Sequence, residues 1–259
     1  MAVATGRAPR PWPEKKPPEV VIDLHCHFLP GIDDGPETLA QALDLARAAV
    51  ADGITHSVLT SHVHPERYPN QRRNLELATA EFAVQLEQAQ IALNVRVGGE
   101  ARLCPELIDL LAENQVPFLG EVGGYRILLL EFPHQMIPVG SMRFISSLFK
   151  LKIRPLIAHP ERNKTIMTNI DKVREFAEAG CWLQLTAGSL AGRFGPQAEQ
   201  AAFALIDQGW DCLAATDAHS VNNRPPRLSE ARDALARRYG KQVAHSMVHT
   251  KPAKILGLA

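Results

Sequence analysis

Residues 21–35 read VIDLHCHFLPGIDDG, an apolar run that ends in two histidines one residue apart. Side chains alternate between the two faces of a β-strand, so a strand from Val21 to His27 would place His25 and His27 on one face and Cys26 on the other. Two imidazoles would then point to one spot, and Cys26 would be a core residue. An edge strand with two solvated histidines explains the isolated motif about equally well. The rest of the chain has to decide between the two interpretations.

Composition limits the class of protein. The chain has 259 residues, a length that α/β barrels commonly use as a single domain. Lysine plus arginine equals aspartate plus glutamate, at 28 each, so no basic bias points to nucleic acid or to anionic lipid. The apolar runs are too short for membrane insertion and the first residues lack an apolar signal core, which predicts a soluble cytoplasmic protein. Four cysteines without a C-x-x-C pair are expected to be reduced thiols.

The chain divides into an arm and one domain. Residues 1–19 contain five prolines among mixed charges, and we expect a flexible Pro-rich arm there. In residues 20–259, short apolar runs alternate with helix-like segments, which predicts a single domain with parallel strands. The predicted strands are residues 20–25, 57–61, 95–98, 127–131, 155–159, 181–186 and 212–216. The predicted helices are residues 36–53, 74–89, 105–113, 141–150, 170–179, 196–207 and 229–239.

Potential metal ligands follow six of the seven predicted strands. A single histidine at such a place is more often a core or rim residue than a ligand, by about three to one. In an α/β barrel, however, the carboxyl ends of the strands meet at one face, where functional sites are built. The residues at these ends are His25, His27, His62, Glu100, Glu131, His159, Asp217 and His219. The remaining strand offers only Thr186 and Ser189.

This set of side chains predicts a metal cluster. Imidazoles and carboxylates without a thiolate are ligands that suit Mn²⁺, Fe²⁺ or Zn²⁺. They exceed the needs of one ion, so we expect two or three ions, an arrangement that activates water during phosphoester hydrolysis. Cysteine-based phosphatase chemistry is not expected, because none of the four cysteines has an arginine six residues later.

An ordered set of short motifs adds a family resemblance. The chain contains, in this order, DLHCHFLPGIDDG, TSHVHPERY, GGE, LLLEF, IAHPER and TDAHSVNNRPP. Together they resemble the PHP (polymerase and histidinol phosphatase) superfamily, and most closely its CpsB/CapC-like branch of bacterial manganese-dependent protein-tyrosine phosphatases. The resemblance runs from about Val20 to the KPAKILG segment near the end.

The resemblance implies a distorted (β/α)7 TIM-like barrel with a trinuclear site, and it makes Mn²⁺ the first expectation, with iron or zinc as alternatives. The implied ligands are His25, His27, Glu100 and Asp217 for one ion, Glu100, Glu131 and His159 for a second, and Asp34, His62 and His219 for a third. His64 lies two residues after His62, and we choose His62 because it directly follows the apolar run. The remaining histidines, His56, His134, His245 and His249, are expected to be bystanders.

Two arginines follow ligand motifs closely, Arg162 in HPERN and Arg224 in NNRPP. An arginine in such a loop is more often a structural or solvated ion pair, by about two to one. Here the neighbouring ligands and the family pattern favour a grip on the phosphoryl oxygens, since a guanidinium offers a fixed fork and keeps its charge. We expect in-line attack by a metal-bound hydroxide, without a covalent enzyme intermediate, with both arginines stabilising the developing charge.

The resemblance also implies a substrate. It indicates a phosphatase that acts on the phosphotyrosine-containing tail of a bacterial tyrosine kinase and thereby controls capsule or exopolysaccharide synthesis. Small-molecule phosphatases such as histidinol-phosphate phosphatase are the main alternative, and a nuclease-like PHP domain is disfavoured by the zero net charge. A catalytically silent binding module is disfavoured by the intact ligand set, since converging polar groups are costly to bury. The sequence gives no oligomeric state.

Overall fold

A computed structural model describes residues 20–258, so the expected arm at residues 1–19 lies outside the described residues. The strands are β1 (Ile22–Cys26), β2 (His56–Leu59), β3 (His62–Val63), β4 (Asn94–Val97), β5 (Glu100–Arg102), β6 (Gly120–Val122), β7 (Tyr125–Glu131), β8 (Ile153–Ala158), β9 (Trp182–Thr186) and β10 (Cys212–Ala215). The longer helices are α1 (Leu39–Ala51), α2 (Arg72–Gln88), α3 (Leu107–Ala112), α4 (Ser141–Lys150), α8 (Pro196–Asp207) and α9 (Leu228–Tyr239). Shorter helices are α5 (Lys164–Thr168), α6 (Arg174–Glu178), α7 (Ala187–Leu190), α10 (Lys241–His245) and α11 (Lys251–Leu256). Two 3₁₀ turns at Pro160–Arg162 and Ile170–Val173 and a π-helical turn at Ser246–Thr250 complete these elements.

The strand neighbours form a ring. β1 pairs with β2 and β2 with β4, while β3, β5, β7, β8, β9 and β10 pair in that order, all in parallel. Two residues separate β2 from β3, and two separate β4 from β5. Each pair therefore occupies one position in the ring, as a strand with a short interruption. The ring closes between β10 and β1, where Cys26 bridges Ala218 and the amide of Asp217 donates to the carbonyl of His25 at 2.7 Å. The predicted α/β fold with parallel strands is confirmed.

The two interruptions correct the predicted strand ends. His62 and Glu100 do not follow the ends of their strand positions but begin the second segments, β3 and β5, where they are direct neighbours across the pair. The second interruption falls at Gly98 and Gly99, and a Cβ on Gly98 would lie 2.6 Å from Cγ1 of Val58. The close approach of two strands there leaves no room for a side chain.

The strands are buried on both faces, as expected for a parallel sheet covered by helices. On β7, Ile127 and Leu129 belong to a core cluster inside the ring, whereas Leu128 and Leu130 pack in the larger cluster between strands and helices. Helix α11 adds Ile255 to the inner cluster. In residues 20–258 no helix combines the length and apolar character needed to cross a bilayer.

Candidate metal centre

Glu100 lies at the centre of a buried group of imidazoles. Its Oε2 atom is 3.0 Å from Nδ1 of His62, 3.3 Å from Nε2 of His25 and 3.4 Å from Nε2 of His27. Its Oε1 atom is 2.8 Å from Nε2 of His159. The structure therefore brings residues from β1, β3, β5 and the turn after β8 to one carboxylate.

Asp217 joins this group to the two arginines. Its Oδ1 atom lies 3.2 Å from Nε2 of His25 and 3.5 Å from Nε2 of His27. Its Oδ2 atom accepts hydrogen bonds from Arg162 and from Arg224. One buried carboxylate thus faces the histidines with one oxygen and both guanidinium groups with the other.

A third set surrounds Asp34. Its Oδ1 atom is 3.3 Å from Nε2 of His62 and 3.3 Å from Nε2 of His219. The rings of His27 and His219 lie 3.9 Å apart between their centroids, which brings His27 close to this set as well.

Three groups of ligand atoms, each within 4.8 Å of one another, have a composition that could hold a metal ion. They are His27, Asp34, His62 and His219, then His25, His27 and Glu100, and finally His62, Glu100 and Glu131. Compared with the groups implied by the family resemblance, His27 is added to the group of Asp34. His62 takes the place of His159 beside Glu131, and Asp217 is absent from the group of His25, His27 and Glu100. Asp217 and His159 instead lie next to that group, 3.2 Å from Nε2 of His25 and 2.8 Å from Oε1 of Glu100.

The charges and the burial fit divalent cations. Oε2 of Glu100 is buried and has no hydrogen bond of acceptable geometry within the described residues, although three ring nitrogens face it. Burial alone would raise the pKa of Glu100, but the nearby His25 and His62 outweigh it and hold that pKa well below its usual value. Burial and then the charge of Glu100 raise the pKa of Glu131 to about 7. Carboxylates that converge in this way, with an unsatisfied oxygen, are suited to share cations.

Hydrogen bonds outside the cluster orient the two histidines of the H-x-H motif. Nδ1 of His25 lies 2.7 Å from Oε1 of Gln184, and Nδ1 of His27 lies 2.8 Å from Oδ2 of Asp33. The same Asp33 oxygen accepts from the amide of His62 at 3.0 Å. Such partners fix the ring and its tautomer, so that Nε2 is directed at the cluster.

Sequence reasoning missed these two partners. The available signal for Gln184 was a single amide in the apolar run WLQLT, and Asp33 was overlooked in favour of its neighbour Asp34.

Two of the proposed ligands have a left-handed backbone. His159 has φ of 34° and Asp217 has φ of 53°, and each follows the end of a buried strand. This conformation costs a non-glycine residue about 1 to 3 kcal/mol and is found most often where function requires it. Both side chains reach the cluster, His159 at Oε1 of Glu100 and Asp217 at Nε2 of His25.

The other histidines differ in how close they lie to the cluster. His62 contacts the cluster, whereas Nδ1 of His64 accepts from the amide of Arg67 at 3.3 Å. His134, expected to be a bystander, lies at the edge of the site with Nε2 3.8 Å from Oε1 of Glu131. An aromatic ring that the sequence did not single out, Tyr68, stacks on His62 with 5.3 Å between centroids.

The four cysteines are free thiols, and three of them are buried. The thiol of Cys26 donates to the carbonyl of Val58, so it points away from the metal ligands, as predicted. Burial raises the pKa of the half-buried Cys104 to about 11 and those of Cys181 and Cys212 to about 12. Thiols with such pKa values are poor nucleophiles near neutral pH.

Alkylation of the folded protein with iodoacetamide should therefore leave phosphatase turnover within about twofold of the untreated level, since the pKa values of Cys104, Cys181 and Cys212 lie well above neutral pH and no cysteine is a proposed ligand. Mass spectrometry would identify the modified cysteine, and turnover of p-nitrophenyl phosphate would be measured beside a Cys104→Ser control. A loss of turnover with unchanged metal content and circular dichroism would contradict the metal-dependent mechanism.

Comparisons with known proteins cover almost the whole described chain. Residues 21–257 match the family described as capsular polysaccharide synthesis, CpsB/CapC. The tyrosine-protein phosphatase YwqE of Bacillus subtilis is 33% identical over 240 residues, which cover 91% of each protein. The tyrosine-protein phosphatase CpsB of Streptococcus agalactiae is 26% identical over 249 residues, or 91% of this chain and 98% of that protein.

A solved structure shares the fold. It comes from crystal structures of YwqE of Bacillus subtilis and CpsB of Streptococcus pneumoniae, described as unique metal-dependent tyrosine phosphatases. The superposition has a TM-score of 0.85 at 32% identity and covers 92% of this chain and 94% of that chain.

Proposed function

Because the chain belongs to the CpsB/CapC family of capsular polysaccharide synthesis proteins, we propose that it is a metal-dependent protein-tyrosine phosphatase. Its proposed substrate is the phosphotyrosine-containing tail of a bacterial tyrosine kinase that controls capsule or exopolysaccharide synthesis. The observation that carries this proposal is the position of Asp217 between the imidazole cluster and two guanidinium groups.

The two arginines can hold a phosphoryl group beside the cluster. Their side chains are partly accessible, at 15% for Arg162 and 25% for Arg224, whereas the carboxylate of Asp217 that they share is buried. Nε of Arg224 has no hydrogen-bond partner within the described residues. Two guanidinium groups that already converge on one anionic oxygen offer further donors to the oxygens of a phosphomonoester.

The nine proposed ligands would hold two or three divalent ions, with Mn²⁺ the first candidate. When bound, these ions supply an activated water and neutralise charge on the phosphoryl oxygens. The chain's own residues set the geometry: Glu100 and Asp217 hold the imidazoles at one face, and the arginines orient the phosphorus for in-line displacement of the tyrosine oxygen. All four thiols have a raised pKa, which leaves no cysteine suited to form a phosphoryl-enzyme intermediate.

Free thiols are also typical of a reducing compartment. They support a cytoplasmic site for this reaction, on the cytoplasmic segment of the kinase.

Single replacements of Arg162 and Arg224 by lysine should each lower kcat/KM by about tenfold to a hundredfold, because lysine keeps the charge but loses the bidentate fork. The factor should be similar for a phosphotyrosine peptide and for p-nitrophenyl phosphate, since both substrates present the same phosphoryl group. Arg227→Lys is the matched control, because Arg227 lies near Arg224 in the chain but its side chain is 57% exposed and pairs with Glu230.

Activity on histidinol phosphate distinguishes the proposed protein-tyrosine phosphatase from a small-molecule phosphatase. We expect the parent protein to prefer the phosphotyrosine peptide. A hundredfold preference for histidinol phosphate in kcat/KM, which equals about 2.7 kcal/mol of transition-state free energy, would instead show a small-molecule phosphatase.

A further inference from the structure

The guanidinium group of Arg162 is contacted on its flat face as well as at its terminal nitrogen. The guanidinium carbon lies 4.4 Å from the centroid of the Phe194 ring, while the terminal nitrogen donates to Asp217. A cation this close to an aromatic face is attracted by the negative charge distribution of the ring. Phe194 lies 32 residues after Arg162 in the chain, and no motif singled it out.

The turn that carries Phe194 is fixed to helices α7 and α9. The amide of Arg193 donates to the carbonyl of Gly188 at 2.7 Å, and its side chain makes two hydrogen bonds to Glu230, at 2.7 Å and 2.6 Å. A Cβ on Gly188 would lie 2.8 Å from Cε2 of Phe194, so the ring packs directly on the backbone of α7. The ring therefore has a defined position beside Arg162.

The backbone of Arg162 is tied to the same segment. The neighbouring Glu161 is fully buried, and its Oε1 atom accepts from the amide of Thr186 at 2.9 Å and from the hydroxyl of Ser189 at 2.7 Å. Ser189 belongs to α7, which leads into the turn with Phe194. Helix α7 and the turn after it therefore fix both the backbone next to Arg162 and the Phe194 ring that packs on its guanidinium group.

We infer that Phe194 is a positioning residue for Arg162: it holds the plane of the guanidinium so that the fork meets the phosphoryl group without reorientation. This inference rests on the proposed role of Arg162 in phosphoryl binding. Fixing a flexible side chain before binding removes part of the entropic cost of ordering it. The ring itself is not proposed to touch the reacting atoms.

The test measures binding of inorganic phosphate to the metal-loaded protein by titration calorimetry, beside kcat and KM for p-nitrophenyl phosphate. Phe194→Leu should weaken phosphate binding and lower kcat/KM, each by about tenfold. Phe194→Tyr, which keeps the ring, should stay within about twofold of the parent. Phe194→Met is a second variant without the ring. Thermal denaturation and metal analysis show which of the two variants keeps the fold and metal content of the parent, and that variant is used for the comparison.

The chain offers a matched control. The guanidinium carbon of Arg238 lies 4.6 Å from the ring centroid of Phe203, and Arg238 donates to Asp207 at 2.7 Å, which is not a proposed ligand. Phe203→Leu should therefore leave phosphate affinity unchanged.

A double-mutant cycle separates positioning of Arg162 from a general effect on the structure. In an Arg162→Ala background, loss of the Phe194 ring should cause no further loss of phosphate affinity, because the interaction partner is already gone. Equal losses in both backgrounds, or no loss in either, would overturn the inference. Turnover of the parent on a phosphotyrosine peptide tests the proposed function separately, since phosphate binding is measured without turnover.

Discussion

Glu100→Gln should reduce kcat by at least about a thousandfold, since charge stabilisation and water activation by the metals would both depend on this proposed ligand. Glutamine has nearly the same shape, but it lacks the negative charge and presents an amide group where imidazole nitrogens now converge. Oε2 of Glu100 faces His25, His27 and His62 within 3.4 Å, so one substitution disturbs all of them. The bound ions should be lost or depleted together with the activity.

Metal content per chain and kcat for p-nitrophenyl phosphate are the two measurements. Glu121→Gln is the control, because this glutamate is exposed on β6, away from the cluster. A Glu100→Gln protein with full metal content and near-normal turnover would refute the central role assigned to Glu100.

Removal of the metals should have the second large effect. Exhaustive treatment with a chelator should lower turnover by about a thousandfold or more, because water is a weak nucleophile near neutral pH unless a metal lowers its pKa. Added Mn²⁺ should restore the activity, with two or three ions bound per chain at full turnover. Elemental analysis during the titration relates occupancy to rate, and Fe²⁺ and Zn²⁺ are compared at the same occupancy.

The number of ions needed for full activity tests the proposed cluster. Recovery that reaches its maximum only above one ion per chain supports a cluster. Full activity with no ion, or with a single ion, would be inconsistent with three groups of ligands in which His27, His62 and Glu100 each belong to two groups.

The sequence was sufficient where a local pattern had one structural solution. Alternation along β1 placed His25 and His27 on one face, and the apolar run at residues 127–131 predicted a strand that lies within β7. The long helices were also predictable, and α4 begins and ends at the predicted residues 141 and 150. These features depend on periodicity within one element.

Features that depend on distant partners were not predictable in this way. Arg162 and Arg224 were expected to grip phosphate, but nothing local showed that both would meet on the same oxygen of Asp217. Gln184 and Phe194 acquire their roles only through contacts with His25 and Arg162. The short helices α5, α7, α10 and α11 were missed because helices of this length depend on tertiary packing more than on their own sequence.

The joint between β10 and β1 has a thermodynamic consequence. It includes the bridge between Cys26 and Ala218, adjoining backbone hydrogen bonds and hydrogen bonds from Thr216 to the carboxylate of Asp23, and proposed ligands lie on both sides of it. Ions held by His25 and His27 on one side and Asp217 on the other would cross-link the first and last strands of the ring. By mass action, a free ion at a hundred times its dissociation constant stabilises the folded state by about 2.7 kcal/mol. The supply of metal in the cell would then govern how long the protein survives, in addition to how fast it works.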